Sequence, residues 1–332
     1  MYLISIKPTA PNLNVYIKTH KNDEPIKPVI NNTQAPSYKI AKYLNKKLHN
    51  LICLPHAYNT KHSQEIAEEL KIMQINEQMK IITLDIKDLY VNLPIEGIIQ
   101  TTKFRLNKNI NDNELIKQTL YMLEIIMKQN YFQYNERLFQ PEKGIAMSSP
   151  ISSITAEVYL QYIGETYVKQ WLDSKEITYY KRYVDDILII YDQNKTSEQT
   201  ILHQINTIDK NLQFKMFTEE NNTINYLDIS IHSNNNMHLN IYRKPTSTDT
   251  TIQFSSNHPY EHKIAAFMCY IHRMITLPIT EKSKQEEWKT ILTIAKNNGY
   301  SVNTINNLKT KLIAKKQKHK NTPRQFHITK NG

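Results

Sequence analysis

Glycine is scarce in this chain, with 5 in 332 residues. No G-x-G-x-x-G or Walker-type segment is present, which argues against a glycine-rich loop cradling a nucleotide. Cysteine is scarcer still, Cys53 and Cys269 being the whole complement. Two cysteines cannot make a disulfide framework, so the expected setting is intracellular and reducing, nuclear or cytoplasmic. Also missing is any apolar run approaching the roughly 20 residues of a membrane span. The opening Met1-Tyr-Leu-Ile-Ser-Ile-Lys7 has too short an apolar stretch for a signal peptide. No membrane partner is expected, and the mean hydropathy of −0.56 agrees.

Positive charge is what the chain has in excess. Lys and Arg number 42 against 31 Asp and Glu, a net charge of +11. That is the balance of a protein handling polyanions, although many basic proteins never touch nucleic acid. Hydrophobic residues at 40% suffice for a core. The length fits one large domain with sub-lobes, or two modest domains.

The first 35 residues are Pro-punctuated and read as irregular, with Lys18-Thr-His-Lys21 followed by Pro25-Ile-Lys-Pro28. Helical spacing then runs through Ile40, Leu44 and Leu48, and again through Ile66, Leu70 and Met73. Residues 81–85 form a short apolar run that predicts a buried strand delivering Asp85 at its end. Pro94 suits the first turn of a helix, and Asn111 or Asp112 caps the next. Segments 131–134 and 137–140 flank Asn135-Glu136 as a small hairpin. A long helix is predicted over 150–172. Residues 177–184 and 187–191 are β-branched and aromatic, which predicts a hairpin with Asp185 and Asp186 at its tip. Thr196-x-x-Gln199 reads as a capping-box start. Strands follow at 213–218, 224–232 and 237–242, the last two joined by a turn at 233–236. Three helices are predicted over 259–275, 280–297 and 301–316, the second ended by Asn298-Gly299. This order points to an α+β core followed by a small helical domain.

Adjacent aspartates at a hairpin tip repel unless a cation sits between them. Taken alone, such a pair is most simply a solvated turn. A hard divalent ion changes that, being bound by a few carboxylates together with substrate phosphates. An acid from a neighbouring strand, Asp85, would complete a two-metal site. Asp88, three residues on, would face the opposite side of a strand and is read as structural. Cys53-Leu-Pro-His56 and Cys269-Tyr-Ile-His272 have zinc-ligand types, but they lie far apart and are read as coincidence.

Tyr183-Val-Asp-Asp186 between apolar strands resembles motif C of reverse transcriptases. Asp85-Ile-Lys-Asp-Leu-Tyr90 resembles motif A, and Gly144-Ile-Ala-Met-Ser-Ser-Pro150 resembles motif B, in the family's order and at its intervals. Further segments resemble the Penelope-like retroelement polymerases: Val15-Tyr-Ile-Lys-Thr-His-Lys21 with Pro25-Ile-Lys-Pro-Val29, Asn130-Tyr-Phe-Gln-Tyr134, Asn225-Tyr-Leu-Asp-Ile-Ser-Ile231, Tyr242-Arg-Lys-Pro-Thr246, His258-Pro259 and Asn298-Gly-Tyr300.

The resemblance implies an RNA-directed DNA polymerase with RNA template, DNA primer and dNTPs as partners and two Mg²⁺ (or Mn²⁺) ions as cofactors. Its fold would be a right hand: fingers at 1–80 and 101–140, a ferredoxin-like palm at 81–100 and 141–235, and a helical thumb at 236–320. Residues 321–332 would be a basic disordered tail. Asp85, Asp185 and Asp186 would hold the metals, with the Ile86 carbonyl as an extra ligand. Tyr90 would be the steric gate against a 2′-hydroxyl. Lys18, Lys21 and Lys27 would neutralise the triphosphate. Gly144, Ser149 and Pro150 would shape the turn facing the template. Lys309, Lys311, Lys315 and Lys316 would touch the phosphate backbone.

Three departures stand against the family pattern. Ser148 occupies a glycine position, which would be strained if the backbone needs a positive φ. Lys27 stands where arginine is usual, losing bidentate geometry. Gln140 lies one residue further from Gly144 than the family interval. The chain also starts almost at the fingers motif and ends without an appended nuclease domain. The alternative expectation is therefore a truncated or decayed copy that binds nucleic acid without catalysis.

Overall fold

Two aliphatic runs, at residues 81–86 and 187–190, supply Ile81, Ile82, Leu84, Ile86 and four consecutive residues, Ile187, Leu188, Ile189 and Ile190, all essentially sealed from solvent. Strands buried on both faces read as continuous apolar runs, and these two lie side by side in the middle of a sheet. The computed structural model describes residues 7–17, 26–54, 58–233 and 237–321. The chain divides into two units, Met1–Lys61 with Asn76–Asn221, and His62–Ile75 with Asn222–Gly332.

The first unit begins with β1 (Asn12–Ile17), β2 (Ile26–Asn31) and α1 (Tyr38–Leu51). The element α2 (Ser63–Ile72) belongs to the second unit. The first unit resumes with β3 (Met79–Ile86), α3 (Leu89–Asn92), α4 (Ile95–Asn109), α5 (Asn113–Lys128), β4 (Phe132–Tyr134) and β5 (Arg137–Phe139). It continues through α6 (Ser152–Ile163), α7 (Lys169–Asp173), β6 (Ile177–Tyr183), β7 (Asp186–Asp192), α8 (Glu198–Ile208) and β8 (Phe214–Thr218). The central sheet has the order β6-β7-β3-β8 and is antiparallel throughout. Alternate residues of β3 and β7, among them Ile82, Leu84, Ile187 and Ile189, share one core with Leu44 and Leu48 of α1, Leu106 of α4, Leu123 of α5 and Val158 of α6.

The N-terminal segment is not irregular. Its β1 and β2 form an antiparallel hairpin in a second sheet of order β2-β1-β4-β5. Pro28 is tolerated because β2 is an edge strand, where a missing N–H leaves no ladder bond unmade. The long helix expected over 150–172 starts at Ser152 and is interrupted by a π-helical turn, Gly164–Val168, before α7. The cap of α8 is Ser197 rather than Thr196; its hydroxyl accepts the Thr200 N–H at 3.2 Å. Asp112 caps α5 through the Leu115 N–H at 3.0 Å.

The second unit contains α2, β9 (Thr223–Tyr226), β10 (Ile229–His232), β11 (His238–Ile241), α9 (Tyr260–Thr276), α10 (Glu281–Asn297) and α11 (Val302–Asn321). Its sheet runs β11-β10-β9. The single strand expected over 224–232 is instead a hairpin, turned at Leu227, whose φ is +53°. Part of the turn expected at 233–236, and the tail from 322, lie outside the described residues.

Segments 225–231 and 242–246 meet in an ion network. Arg243 binds Glu287 of α10 at 2.6 Å, and Arg273 of α9 lies 3.7 Å from Glu287 and 3.8 Å from Asp228. Asn298, buried, accepts the Thr251 N–H at 3.0 Å and donates to the Asp249 carbonyl at 2.7 Å, pinning the preceding chain to the end of α10. Gly299, at φ +79°, is the left-handed helix stop. The Tyr300 hydroxyl donates to the Ile252 carbonyl at 2.6 Å. These motifs build the unit. No described helix is long and apolar enough to cross a membrane.

Candidate active site

The acids gather because of register. In the β3–β7 ladder Asp85 stands directly opposite Asp186, and in the β6–β7 ladder Tyr183 pairs with Asp186. That leaves Val184 and Asp185 as a two-residue tip. The Asp185 carbonyl accepts the Ile86 N–H at 3.0 Å, which ties the tip to the end of β3. Like charges directly opposite on antiparallel strands are destabilising, and Lys215 of β8, in register with Asp85 on its other side, supplies one opposite charge. The donors are oxygens only, as a hard divalent ion prefers. Among the described residues no three His, Cys, Asp or Glu side chains converge closely enough to hold a metal by themselves. One or two carboxylates with substrate phosphates is, however, the usual Mg²⁺ arrangement, and the residues present fit it.

Val184 has φ +53°, in the left-handed region that β-branched residues avoid. Such a conformation costs about 1–2 kcal/mol and persists only where neighbours enforce it. Arg182 is one of those neighbours. Its Nη1 donates to the Val184 carbonyl at 3.0 Å and to Glu157 at 3.1 Å, and its Nη2 donates to Glu157 at 2.8 Å. Neither Arg182 nor Glu157 was singled out from sequence. An arginine in a strand next to an acidic tip is unremarkable until its partner on α6 is known.

Tyr90 sits half-buried on α3, and its carbonyl accepts the Ile145 N–H at 2.7 Å. Burial raises its hydroxyl pKa most, and the charges of Asp185 and Glu157 raise it further. Asp185 therefore lies within electrostatic reach of the ring. Asp88 is not on the strand as expected. It lies beyond β3 at φ +48° and leads into α3, its carbonyl accepting the Val91 and Asn92 N–H groups.

Gly144 is required by geometry. Its φ is +84°, and a Cβ there would lie 2.3 Å from the Val91 carbonyl oxygen. The chain can thus pass against the backbone of α3. Tyr90, Val91, Gly144 and Met147 line a cavity of about 210 Å³ together with Pro28 and Ile30 of β2. Ser149 and Pro150 follow in the turn that leads to α6, the Ser149 N–H donating to the Ala146 carbonyl at 3.0 Å. Ser148 is not left-handed, so the strain expected of a serine there does not arise. Its hydroxyl donates to the Ile30 carbonyl instead. Gln140 donates to the Lys128 carbonyl at 3.1 Å.

The remaining sequence-derived residues fall elsewhere. Lys18 and Lys21 lie outside the described residues, and Lys27 is described only by its strand position, opposite Tyr16. Lys311 and Lys315 are exposed on α11, whereas Lys309 stands 4.1 Å over the Trp288 ring and Lys316 donates to the Ile275 carbonyl at 2.5 Å. Cys53 and Cys269 are free, exposed and in different units, and His56 is outside the described residues.

Residues 20–219 match the sequence model of the reverse transcriptase (RNA-dependent DNA polymerase) family, more than half of the chain. Residues 250–310 match that of the animal helix-turn-helix domain. The first match ends within two residues of the first unit's end, and the second lies inside the second unit. No curated protein sequence matches the chain.

Among solved structures, telomerase from Candida albicans in complex with a fragment of telomeric RNA is similar, with a TM-score of 0.57 and 9% identity over 95% of this chain and 62% of that one. The corresponding Candida tropicalis complex gives 0.53 and 13% over 89% and 56%. The RNA-dependent RNA polymerase of a human picobirnavirus gives 0.55 and 11% over 87% and 56%. The chain thus spans about three fifths of the telomerase chains it matches. At these identities the likeness shows the fold, α+β and of the right-hand polymerase type.

Proposed function

The chain belongs to the reverse transcriptase (RNA-dependent DNA polymerase) family, and from that premise we propose that it extends a DNA primer on an RNA template, as the polymerase of a Penelope-like retroelement. The observation that carries the reading is the register of Asp85 opposite Asp186 beside the Val184–Asp185 tip. Phosphoryl transfer asks for positioning and charge neutralisation more than covalent chemistry, and carboxylates fixed at the end of a buried sheet suit it.

Asp85, Asp185 and Asp186, with the Ile86 carbonyl, would hold two Mg²⁺ (or Mn²⁺) ions. Such ions, when bound, supply activation of the primer 3′-hydroxyl and neutralisation of the departing pyrophosphate. Tyr90 would underlie the dNTP sugar. Gly144, Ser149 and Pro150 would shape the turn beside the templating base. Lys18, Lys21 and Lys27 would meet the triphosphate. Lys311 and Lys315 would touch the nucleic-acid backbone, with Lys309 and Lys316 contributing less because each already has a partner.

In the proposed partition, 1–80 and 101–140 act as fingers, 81–100 and 141–235 as palm, and 236–320 as thumb. The Penelope-like assignment rests on the sequence resemblance of segments 225–231, 242–246 and 298–300. A decayed copy that only binds nucleic acid is the competing reading, but Ser148 no longer supports it, since its backbone is unstrained.

One neighbour in fold is an RNA-dependent RNA polymerase, so the choice of sugar is the discriminating question. Primer extension on poly(rA)/oligo(dT) should proceed with dTTP, and a strong preference for UTP would overturn the reading. Tyr90→Val should relax discrimination against ribonucleotides by roughly tenfold. Unchanged selectivity would remove Tyr90 from the gate.

A further inference from the structure

Val184 holds a left-handed backbone without a residue type that suits one, and its carbonyl has a specific partner. That partner, Arg182, is buried, with a side chain 3% exposed. Its two terminal nitrogens grip both carboxylate oxygens of Glu157, at 2.8 and 3.1 Å, and one of them also reaches the Val184 carbonyl at 3.0 Å. Glu157 is held in turn by Asn59, whose Nδ2 donates to it at 2.7 Å. The backbone of Arg182 is clamped as well: its N–H donates to the Tyr58 carbonyl and its carbonyl accepts the Thr60 N–H, each at 2.9 Å. Every group around the guanidinium is therefore fixed before it meets the tip.

We propose that Arg182 is a positioning residue, which braces the Val184 peptide against Glu157 and so holds Asp185 in place for catalysis. The inference rests on the polymerase reading, in which Asp185 is a metal-binding carboxylate. The tip is fixed at two consecutive carbonyls: Val184 by Arg182, and Asp185 by the Ile86 N–H at 3.0 Å. Losing the first would let the Val184–Asp185 peptide relax from its strained state and carry the acid out of line with Asp85 and Asp186. Arginine is needed because its planar fork serves Glu157 and the carbonyl together, which a single ammonium cannot do in the same geometry. A pair that merely tied β6 to α6 would need no bond to the tip.

Arg182→Lys tests this, since it keeps a charge beside Glu157 while removing the fork. Three quantities are read: kcat per titrated active site, KM for dTTP with primer–template affinity, and amide hydrogen exchange at residues 184–186 against 187–190. The expected result is a kcat lower by ~100-fold, the cost of a small misplacement of a reacting group. KM and primer–template affinity should stay within about twofold. Exchange should quicken at the tip and not along β7. An unchanged kcat per active site, or exchange quickened evenly along β6 and β7, overturns the proposal. Should Arg182→Lys fail to fold, Glu157→Gln loosens the same brace and is expected to give a smaller loss of kcat with the same local exchange. If the wild-type chain extends no primer, the polymerase reading falls and with it the catalytic half of this one. The exchange measurement still decides whether Arg182 holds the tip.

Discussion

Two hairpins in the first unit turn through two residues, and they do so for opposite reasons. The β4–β5 hairpin turns at Asn135 and Glu136, both left-handed at φ +47° and +61°. A turn with both central residues at positive φ matches the twist of its strands, and asparagine tolerates that region well. Its tip is exposed, and Asn135 suits the turn although Glu136 has no such preference. The β6–β7 hairpin turns at Val184 and Asp185, where only Val184 is left-handed and no local preference favours it. There the shape is held by the nearby Arg182, itself anchored by Glu157 of α6, and by the Ile86 N–H of β3. A strained tip enforced from outside is the pattern expected where position matters more than stability.

That contrast can be broken by exchanging residue types, beginning with the place where no side chain fits. Gly144→Ala combines an unfavourable φ with a Cβ 2.3 Å from the Val91 carbonyl oxygen. It should cost about 2–4 kcal/mol in urea unfolding, and a loss under 1 kcal/mol would show that the chain can move away from α3. Asn135→Val should cost about 1–2 kcal/mol, because it imposes on the ordinary turn the strain that Val184 bears. The reverse change, Val184→Asn, should leave stability equal or higher by up to about 1 kcal/mol, since Val184 is already exposed and little burial is lost. A clear destabilisation by Val184→Asn would mean that the tip is not strained.

The same contrast explains what could be read from sequence. The buried strands β3 and β7 and the Asn135-Glu136 turn were legible because burial and turn chemistry are local signals. The three C-terminal helices were legible from apolar spacing. By contrast β1 and β2 were hidden by Pro25 and Pro28, since proline does not reveal that its strand is an edge. The β9–β10 turn is hidden because Leu227-Asp228 carries no glycine or asparagine to mark it. The π-helical turn in 164–168 leaves no mark in apolar spacing.

At the site, residue type and order suffice to expect Asp85 beside Asp186, and the register puts them opposite each other. Whether Ser148 bears strain depends on its φ, which residue type does not give and which is not left-handed here. Arg182 and Glu157 could not be found, since the bond that gives them meaning joins residues 25 apart in sequence through the fold.

In the proposed polymerase Asp185 is a metal-binding carboxylate, needed for extension and not for binding of the primer–template. Single-turnover extension of an RNA-templated oligo(dT) primer, measured with saturating enzyme for wild type, Asp185→Asn and Glu136→Gln, decides this. Wild type and Glu136→Gln should extend the primer alike. Asp185→Asn should bind the same primer–template with near-equal affinity and extend it at least ~100-fold more slowly. Extension by Asp185→Asn at the wild-type rate would contradict the claim.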